Sequence, residues 1–222
     1  MNKYKIFNNI AEDGLSILSD HQFEEVAENP DGLLLRSHKL TEKEFGKNLS
    51  CIARAGAGTN NIPIEDATKK GIVVFNTPGA NANAVKELVI CGMLLSSRGI
   101  VEGINFAQNL DLDDPEALNK AMESQKKTFA GNELAGKTLG IVGLGAIGSM
   151  LAQAGQTLGM NLVGYDPHIS IEAAWRLPRE VKKADSMEAL LKESDYVSLH
   201  VPLVETTKNL INSSNLKKFK KG

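Results

Sequence analysis

The sequence has little net charge and no long apolar run. Its 222 residues carry 25 lysines and arginines against 27 aspartates and glutamates, a formal net charge of −2. This near balance gives no electrostatic case for binding nucleic acid or an anionic membrane surface. The longest apolar run, 88–95, is too short to cross a bilayer, and no signal peptide precedes the first predicted strand. We therefore expect a cytoplasmic protein with neither nucleic-acid nor membrane partners.

Cysteine is scarce, with two residues in the whole chain. Cys51 falls in a strand-like apolar segment and Cys91 in a helix-like one. Their spacing matches no metal-ligand pattern, so no metal site is predicted. Because disulfides are rare in the cytoplasm, we expect two reduced, buried thiols.

What the chain does contain is an alternation of short apolar strands with helical segments. Because crossover helices separate the strands, we expect α/β architecture with parallel sheets and functional groups at the C-terminal ends of the strands. A helix over 85–97 is apolar nearly all round, which predicts that it is buried between layers. Asp113 or Asp114 would cap a later helix, before Pro115. Strands are predicted at 4–7, 23–26, 32–35, 50–54, 72–75, 137–142, 162–165, 180–183 and 196–200, and further helices at 12–18, 63–70, 146–158 and 213–221.

The most informative segment runs from 139 to 167. Gly143, Gly145 and Gly148 follow a buried strand and open a helix, and Asp166 closes the next apolar run. In this pattern the first glycine permits a tight turn, the second lets the backbone approach a diphosphate, and the third lets the helix pack closely on the sheet. The N–H groups of Ala146 and Ile147 would face the phosphates at the helix start. Asp166 can accept hydrogen bonds from the ribose hydroxyls and would repel a 2′-phosphate, so the pattern predicts NAD rather than NADP.

A second glycine-rich turn follows the strand that ends at Arg54. Gly56, Ala57 and Gly58 would present backbone N–H groups as a small anion-binding nest for a substrate carboxylate. Arg54 and Arg36 end strands that we expect to be adjacent. Either arginine could donate charge-assisted hydrogen bonds to carboxylate or phosphate, or could serve only as a structural ion-pair partner.

The remaining basic side chains near this turn are less informative. Lys39 is a weaker phosphate candidate than the arginines. None of the four histidines makes a good catalytic acid. His38, the one nearest the predicted substrate side, is expected to be an exposed loop residue.

Six segments together resemble the D-isomer-specific 2-hydroxyacid dehydrogenase family. The resemblance runs nearly end to end, and within the family the RAGAGTNN and NTPGANA segments are most similar to the enzymes that oxidise D-3-phosphoglycerate. The six segments are LLLRS (33–37), ARAGAGTNNI (53–62), the stretch 69–94 containing NTPGANA, FAGNELAGKTLGIVGLGAIG (129–148), GYDP (164–167) and SDYVSLHVPLVETTKNLIN (194–212).

The resemblance implies a flavodoxin-like substrate-binding domain over 1–97 and a Rossmann NAD-binding domain over 98–222. It also implies reversible hydride transfer between C2 of a 2-hydroxy acid, here a phosphorylated one, and the nicotinamide. The helical arm after Arg98 usually carries homodimer contacts in this family. Positions that match cofactor contacts of the family are Thr77, His200, Val201, Pro202 and Thr207.

By the same resemblance, the catalytic arginine, glutamate and histidine of the family belong to segments after residue 222. We therefore predict no catalytic residue in this chain and expect an incomplete Rossmann domain from a longer protein, inactive by itself. Two alternatives stay open. One is another dehydrogenase or reductase of the family, acting on glyoxylate, hydroxypyruvate or D-lactate. The other is a non-catalytic NAD-binding protein of the corepressor kind.

Overall fold

A computed structural model describes residues 2–110 and 114–221 of the chain. The chain divides into two compact units, 1–81 and 82–222. This division places the helix Ala82–Ser97 with the second unit. The predicted functional domains, 1–97 and 98–222, stay a prediction.

The first unit is built on a five-stranded parallel sheet with the order β2-β1-β3-β4-β5. This is the strand order of flavodoxin-like folds. Neighbouring strands end in register, with Leu35 opposite Arg54 and Arg54 opposite Asn76. Residues that follow these strands therefore gather at one edge. The elements are β1 (Asn2–Phe7), α1 (Glu12–Asp20), β2 (Phe23–Glu25), β3 (Gly32–Leu35), β4 (Cys51–Arg54), α2 (Ile64–Lys69) and β5 (Val73–Asn76), with a short 3₁₀ turn at Glu42–Glu44.

The second unit is built on a four-stranded parallel sheet with the order β8-β7-β6-β9. This order corresponds to strands 3-2-1-4 of the six-stranded Rossmann order 3-2-1-4-5-6. Its topological switch point lies between β6 and β9, where ligands bind in this class of sheet. The strands are β6 (Thr138–Val142), β7 (Asn161–Tyr165), β8 (Lys182–Lys183) and β9 (Tyr196–Leu199). The helices are α3 (Ala82–Ser97), α4 (Ile100–Gln108), α5 (Pro115–Gln125), α6 (Ala146–Thr157), α7 (Ile171–Trp175), α8 (Met187–Glu193) and α9 (Ser213–Leu216).

Helices cover both faces of this second sheet. On one face Leu139 and Ile141 of β6 pack with Leu151 of α6. On the other, Val142 of β6 and Val163 of β7 pack in one cluster with side chains of α8. Burial on both faces explains why β6 and β7 are continuous apolar runs in the sequence.

Every predicted strand is present, with ends within two residues of the prediction, so the α/β class with two parallel sheets is confirmed. Asp114 caps α5, since its carboxylate accepts hydrogen bonds from the N–H groups of Glu116 and Ala117 at 3.0 and 3.2 Å. The alternative cap, Asp113, lies outside the described residues. No helix in 2–110 or 114–221 combines the length and apolar character that a bilayer crossing requires.

Three local predictions are wrong. The helix α3 is not buried on all sides, because only its inner face packs against the second sheet and α6, and Leu88 on its outer face is 72% exposed. Cys91 on the same helix is exposed rather than buried, and Cys51, also expected to be buried, is only half-buried. The last helix covers Ser213–Leu216 and not 213–221, because Lys217 already ends the run of helical hydrogen bonds.

Candidate functional site

The glycine turn after β6 has the geometry that the sequence predicts. Gly143 has φ = +88°, and a Cβ there would lie 2.6 Å from the carbonyl oxygen of His200. A Cβ at Gly148 would collide with the carbonyl oxygen of Gly143, so helix α6 packs directly on the turn. At Gly145, by contrast, a Cβ would meet no atom within 4 Å. The middle glycine therefore leaves open space in front of the helix N-terminus, where backbone N–H groups attract anions.

The carboxylate of Asp166 faces this turn. One oxygen accepts a hydrogen bond from the N–H of Leu144 at 2.8 Å, and the other accepts from the N–H of His168 at 2.9 Å. These bonds fix the orientation of the carboxylate at the C-terminal end of β7. The turn itself thus holds the acidic group beside the open space at Gly145.

A cavity of about 490 Å³ lies at the switch point of the second sheet, in the volume range of small-molecule sites. It joins segments that follow β6, β7 and β9. Ala146, Ile147 and Gly148 come next along the chain, in the first turn of α6. The predicted residues that line the cavity are Gly143, Gly145, Asp166, His200, Val201, Pro202 and Thr207.

His200 enters the cavity from the end of β9. Its Nε2 lies 2.9 Å from the hydroxyl oxygen of Ser198. Burial lowers the pKa of its imidazole below the usual value, so the ring is neutral at pH 7. A neutral ring next to the cavity can accept or donate one hydrogen bond without adding charge.

The depressed pKa of His200 makes stability depend on pH. The unfolded chain takes up a proton near pH about 6.5, whereas the folded chain resists protonation until the pH is lower. We expect the free energy of unfolding to be fully retained above pH about 6.5 and to fall as the pH drops from there towards 5. Urea unfolding between pH 7.5 and 5 measures it. The variant His200→Gln should show a shallower decline than the wild type, and the exposed-site control His168→Gln should decline like the wild type. If the free energy of unfolding falls equally with pH in His200→Gln and in the wild type, the lowered pKa of His200 is not the cause of the decline.

The second predicted site lies in the first unit, at the turn after β4. The carbonyl oxygens of Gly56, Ala57 and Gly58 all accept hydrogen bonds from within the unit. The donors are, in that order, the N–H of Thr77 at 3.0 Å, the side-chain amide of Asn76 at 2.7 Å, and the guanidinium of Arg54. In the part of the chain that the structure describes, the N–H groups of Ala57, Gly58 and Thr59 donate to no protein acceptor. The N–H of Gly56, which the sequence assigned to the anion-binding nest, instead donates to the carbonyl oxygen of Arg54 at 2.9 Å. The nest therefore consists of the N–H groups of Ala57, Gly58 and Thr59, and its binding of an anion stays a prediction.

Arg54 lies beneath this nest. Its Nε donates to the carbonyl oxygen of Arg36 at 3.0 Å, and its Nη1 donates to that of Gly58. A Cβ at Gly56 or Gly58 would lie 3.2 or 3.0 Å from Nη1, so a side chain at either position would crowd the guanidinium. Arg54 therefore supports the turn through carbonyl oxygens, whereas the sequence suggested a direct ligand or an ion-pair partner. Whether it also touches substrate stays a prediction.

The neighbouring loop contains a histidine whose environment the sequence did not indicate. His38 is half-buried, not an exposed loop residue: it stacks on Phe7 with 4.2 Å between ring centroids, and its Nε2 lies 2.6 Å from a carboxylate oxygen of Glu44. Burial raises the pKa of Glu44, but hydrogen bonds from His38 and Thr41 outweigh burial and lower it overall. The pair fixes the loop that follows Arg36. Arg36 and Lys39 themselves are exposed.

Sequence reasoning also missed Asn76. A polar side chain at the end of β5, next to β4, was the available signal, since neighbouring parallel strands end at one edge. Thr77, predicted as a cofactor contact, lies in the first unit, where its N–H is the donor to Gly56.

Comparison with known proteins identifies the family. Residues 93–222 match the profile described as "D-isomer specific 2-hydroxyacid dehydrogenase, NAD binding domain". The chain is 39% identical over 215 residues to a hydroxypyruvate reductase of Thermotoga maritima, covering 94% of this chain and 64% of the relative. It is 37% identical to a D-3-phosphoglycerate dehydrogenase of Methanocaldococcus jannaschii, covering 92% of this chain and 37% of the relative. The chain thus spans about two thirds of one of these relatives and little over a third of the other.

Comparison with solved structures agrees with this family. The crystal structure of a 3-phosphoglycerate dehydrogenase from Entamoeba histolytica with NAD+ bound superposes with a TM-score of 0.71 at 29% identity, covering 99% of this chain and 68% of that one. The TT0316 protein of Thermus thermophilus gives 0.81 at 27% identity, covering 99% and 71%. The cofactor of the matched domain is NAD. The chain belongs to the D-isomer-specific 2-hydroxyacid dehydrogenase family of oxidoreductases.

Proposed function

We propose that the cavity at the switch point of the second sheet holds NAD. The diphosphate lies against the N–H groups of Ala146 and Ile147, and the adenosine ribose donates its hydroxyls to Asp166. The observation that supports this placement is the open space at Gly145, beside a carboxylate that the same turn holds in place. His200, Val201, Pro202 and Thr207 line the rest of the cofactor site.

We propose that the nest after β4 binds the carboxylate of a 2-hydroxy acid. Ala57, Gly58 and Thr59 supply the free N–H groups, and the guanidinium of Arg54 beneath them adds positive charge. When bound, NAD accepts the hydride that leaves C2 as the hydroxy acid becomes a 2-oxo acid. The residues named here bind and orient the reactants. No group of the described chain is assigned to the proton transfer.

The substrate we propose is D-3-phosphoglycerate, oxidised to 3-phosphohydroxypyruvate in the first step of L-serine biosynthesis. Relatives named D-3-phosphoglycerate dehydrogenase share 33–38% identity with 91–98% of this chain. Arg36 and Lys39 follow the neighbouring strand β3 and are exposed, so they are available to a C3 phosphate. Charge-assisted hydrogen bonds of this kind are how phosphate groups are usually recognised.

Reduction of hydroxypyruvate is the second candidate. It is favoured by the 39% identity to the hydroxypyruvate reductase of Thermotoga maritima. That substrate lacks the phosphate, so it makes no use of Arg36 or Lys39. The two candidates therefore differ in whether these cations matter.

We propose that the protein is cytoplasmic and forms a homodimer or a higher homo-oligomer. The exposed apolar side chains of α3 and α4, among them Leu88, Val101 and Ile104, support association with a second copy. Residues 1–97 form the substrate-binding domain and residues 98–222 the NAD-binding domain in this proposal.

Activity of the purified full-length gene product, rather than of residues 1–222 alone, tests the substrate. Absorbance at 340 nm follows NADH formation with D-3-phosphoglycerate, and NADH consumption with hydroxypyruvate, glyoxylate and pyruvate. We expect the phosphorylated substrate to have the highest kcat/KM. The double variant Arg36→Gln, Lys39→Gln should lower that value by about 100-fold or more, since it removes two charged hydrogen bonds of about 1.5–3 kcal/mol each. Preference for unphosphorylated acids, unchanged in the variant, would assign the reductase function instead.

A further inference from the structure

The direction of the nest N–H groups depends on the hydrogen bonds that the carbonyl oxygens of the same turn accept. A peptide group is planar and trans, so its C=O and the N–H of the following residue point in opposite directions. Holding the carbonyl of Ala57 towards the protein therefore turns the N–H of Gly58 outwards. In the same way, the carbonyl of Gly58 determines the direction of the Thr59 N–H.

Side chains hold two of the three carbonyls. The donor to Ala57 is the Nδ2 of Asn76 at 2.7 Å, and the donor to Gly58 is Arg54. The carbonyl of Gly56 is held by a backbone group, the N–H of Thr77. Arg54 and Asn76 are directly opposite each other in the β4–β5 register. One pair of side chains at the ends of two adjacent strands thus sets the direction of two of the three nest N–H groups.

We infer that Asn76 is a positioning residue for carboxylate binding, acting through the peptide between Ala57 and Gly58. It touches no substrate carboxylate: its amide is bound to the far side of that peptide. The inference rests on the proposed function of the nest. It adds to that function a residue on β5 that determines whether the central N–H of the nest is available.

Two substitutions separate this role from a general effect on folding. Asn76→Ala removes the donor. Asn76→Asp keeps the size of the side chain but replaces the donor by an acceptor that repels the Ala57 oxygen. Asn76 is exposed, so neither change disturbs the core. Asn48 is exposed in the same unit and makes no side-chain hydrogen bond within the described residues. Asn48→Ala and Asn48→Asp are therefore matched controls for size and for charge.

The experiment is a titration of the ¹⁵N-labelled chain with sodium pyruvate, with sodium chloride at equal ionic strength as reference. In the wild type we expect saturable shifts of the N–H signals of Ala57, Gly58 and Thr59. Both Asn76 variants should bind about 10-fold more weakly or worse, since one hydrogen bond of about 1.4 kcal/mol is lost. The shift of Gly58 should be lost first, and the Tm should change by less than about 4 °C, which corresponds to about 1 kcal/mol. Both Asn48 variants should bind like the wild type.

The outcomes are distinct. Saturable shifts in the wild type with affinities of the Asn76 variants within about twofold of it, under 0.5 kcal/mol, would overturn the positioning role and leave the nest intact. No saturable shift at 57–59 in the wild type would overturn the nest itself, and the inference with it. If a variant fails to fold, hydrogen exchange of the side-chain amides in the wild type tests whether Asn76 donates to the carbonyl oxygen of Ala57. Exchange of the Asn76 amide as fast as that of Asn48 contradicts the bond to Ala57.

Discussion

Gly145→Val should weaken NAD binding severely and leave the fold intact. The new side chain would point into the open space in front of α6, because a Cβ at this position meets no protein atom within 4 Å and φ is −71°, which any residue adopts. The valine methyl groups would then occupy the place proposed for the diphosphate. We expect NAD affinity to fall by about 100-fold or more, equivalent to about 3 kcal/mol of charged hydrogen bonds.

Calorimetric titration measures the NAD affinity of the variant, and thermal unfolding measures whether its stability is unchanged. Gly148→Ala is the contrasting variant, because its Cβ would collide with the backbone of Gly143 and should lower the stability itself by about 1–3 kcal/mol. Gly145→Ala should give an intermediate loss of affinity. Wild-type affinity in Gly145→Val would show that no diphosphate approaches this turn.

Asp166→Ala should weaken NAD binding and erase the discrimination against NADP. The substitution removes the proposed acceptor for the ribose hydroxyls and the negative charge that repels a 2′-phosphate. It also leaves the N–H of Leu144 without its partner at 2.8 Å, which loosens the glycine turn. We expect NAD affinity to fall about 10- to 100-fold, the range for hydrogen bonds to a charged group, while NADP affinity stays level or rises.

Titrations with both dinucleotides give the ratio directly. Glu133→Gln removes an exposed acidic charge that lines neither the cofactor cavity nor the cavity beside it, and it should leave the ratio unchanged. If Asp166→Ala retains the wild-type preference for NAD over NADP, the selectivity must arise elsewhere in the chain.

The sequence predicted those structural features that residues close together in the chain determine. The glycine turn is one case, because Gly143, Gly145 and Gly148 act on backbone atoms within one strand–turn–helix unit. The central strands of the second sheet are another, because strands buried on both faces are continuous apolar runs. The strand β5 of the first sheet was predicted from a similar apolar run, but Val73 and Phe75 in it are more than half exposed. Asp166 faces the turn as expected, since β6 and β7 are adjacent and end in register.

Properties that depend on a distant neighbour could not be predicted. The apolar helix α3 was expected to be buried all round, but hydrophobicity does not specify what covers a face, and the side chain of Leu88 is exposed. His38 was expected to be exposed, but it stacks on Phe7 at the end of β1 and binds Glu44. The roles of Arg54 and Asn76 require knowing which carbonyl each amide or guanidinium reaches.

The central claim is that NAD lies with its diphosphate on the N-terminus of α6 and its ribose on Asp166. A crystal structure of the chain with NAD tests it most directly. The account predicts diphosphate oxygens within about 2.7–3.2 Å of the N–H groups of Ala146 and Ile147, and ribose hydroxyls at the same range from the Asp166 carboxylate. Density for NAD elsewhere, with this turn bare, would contradict the account.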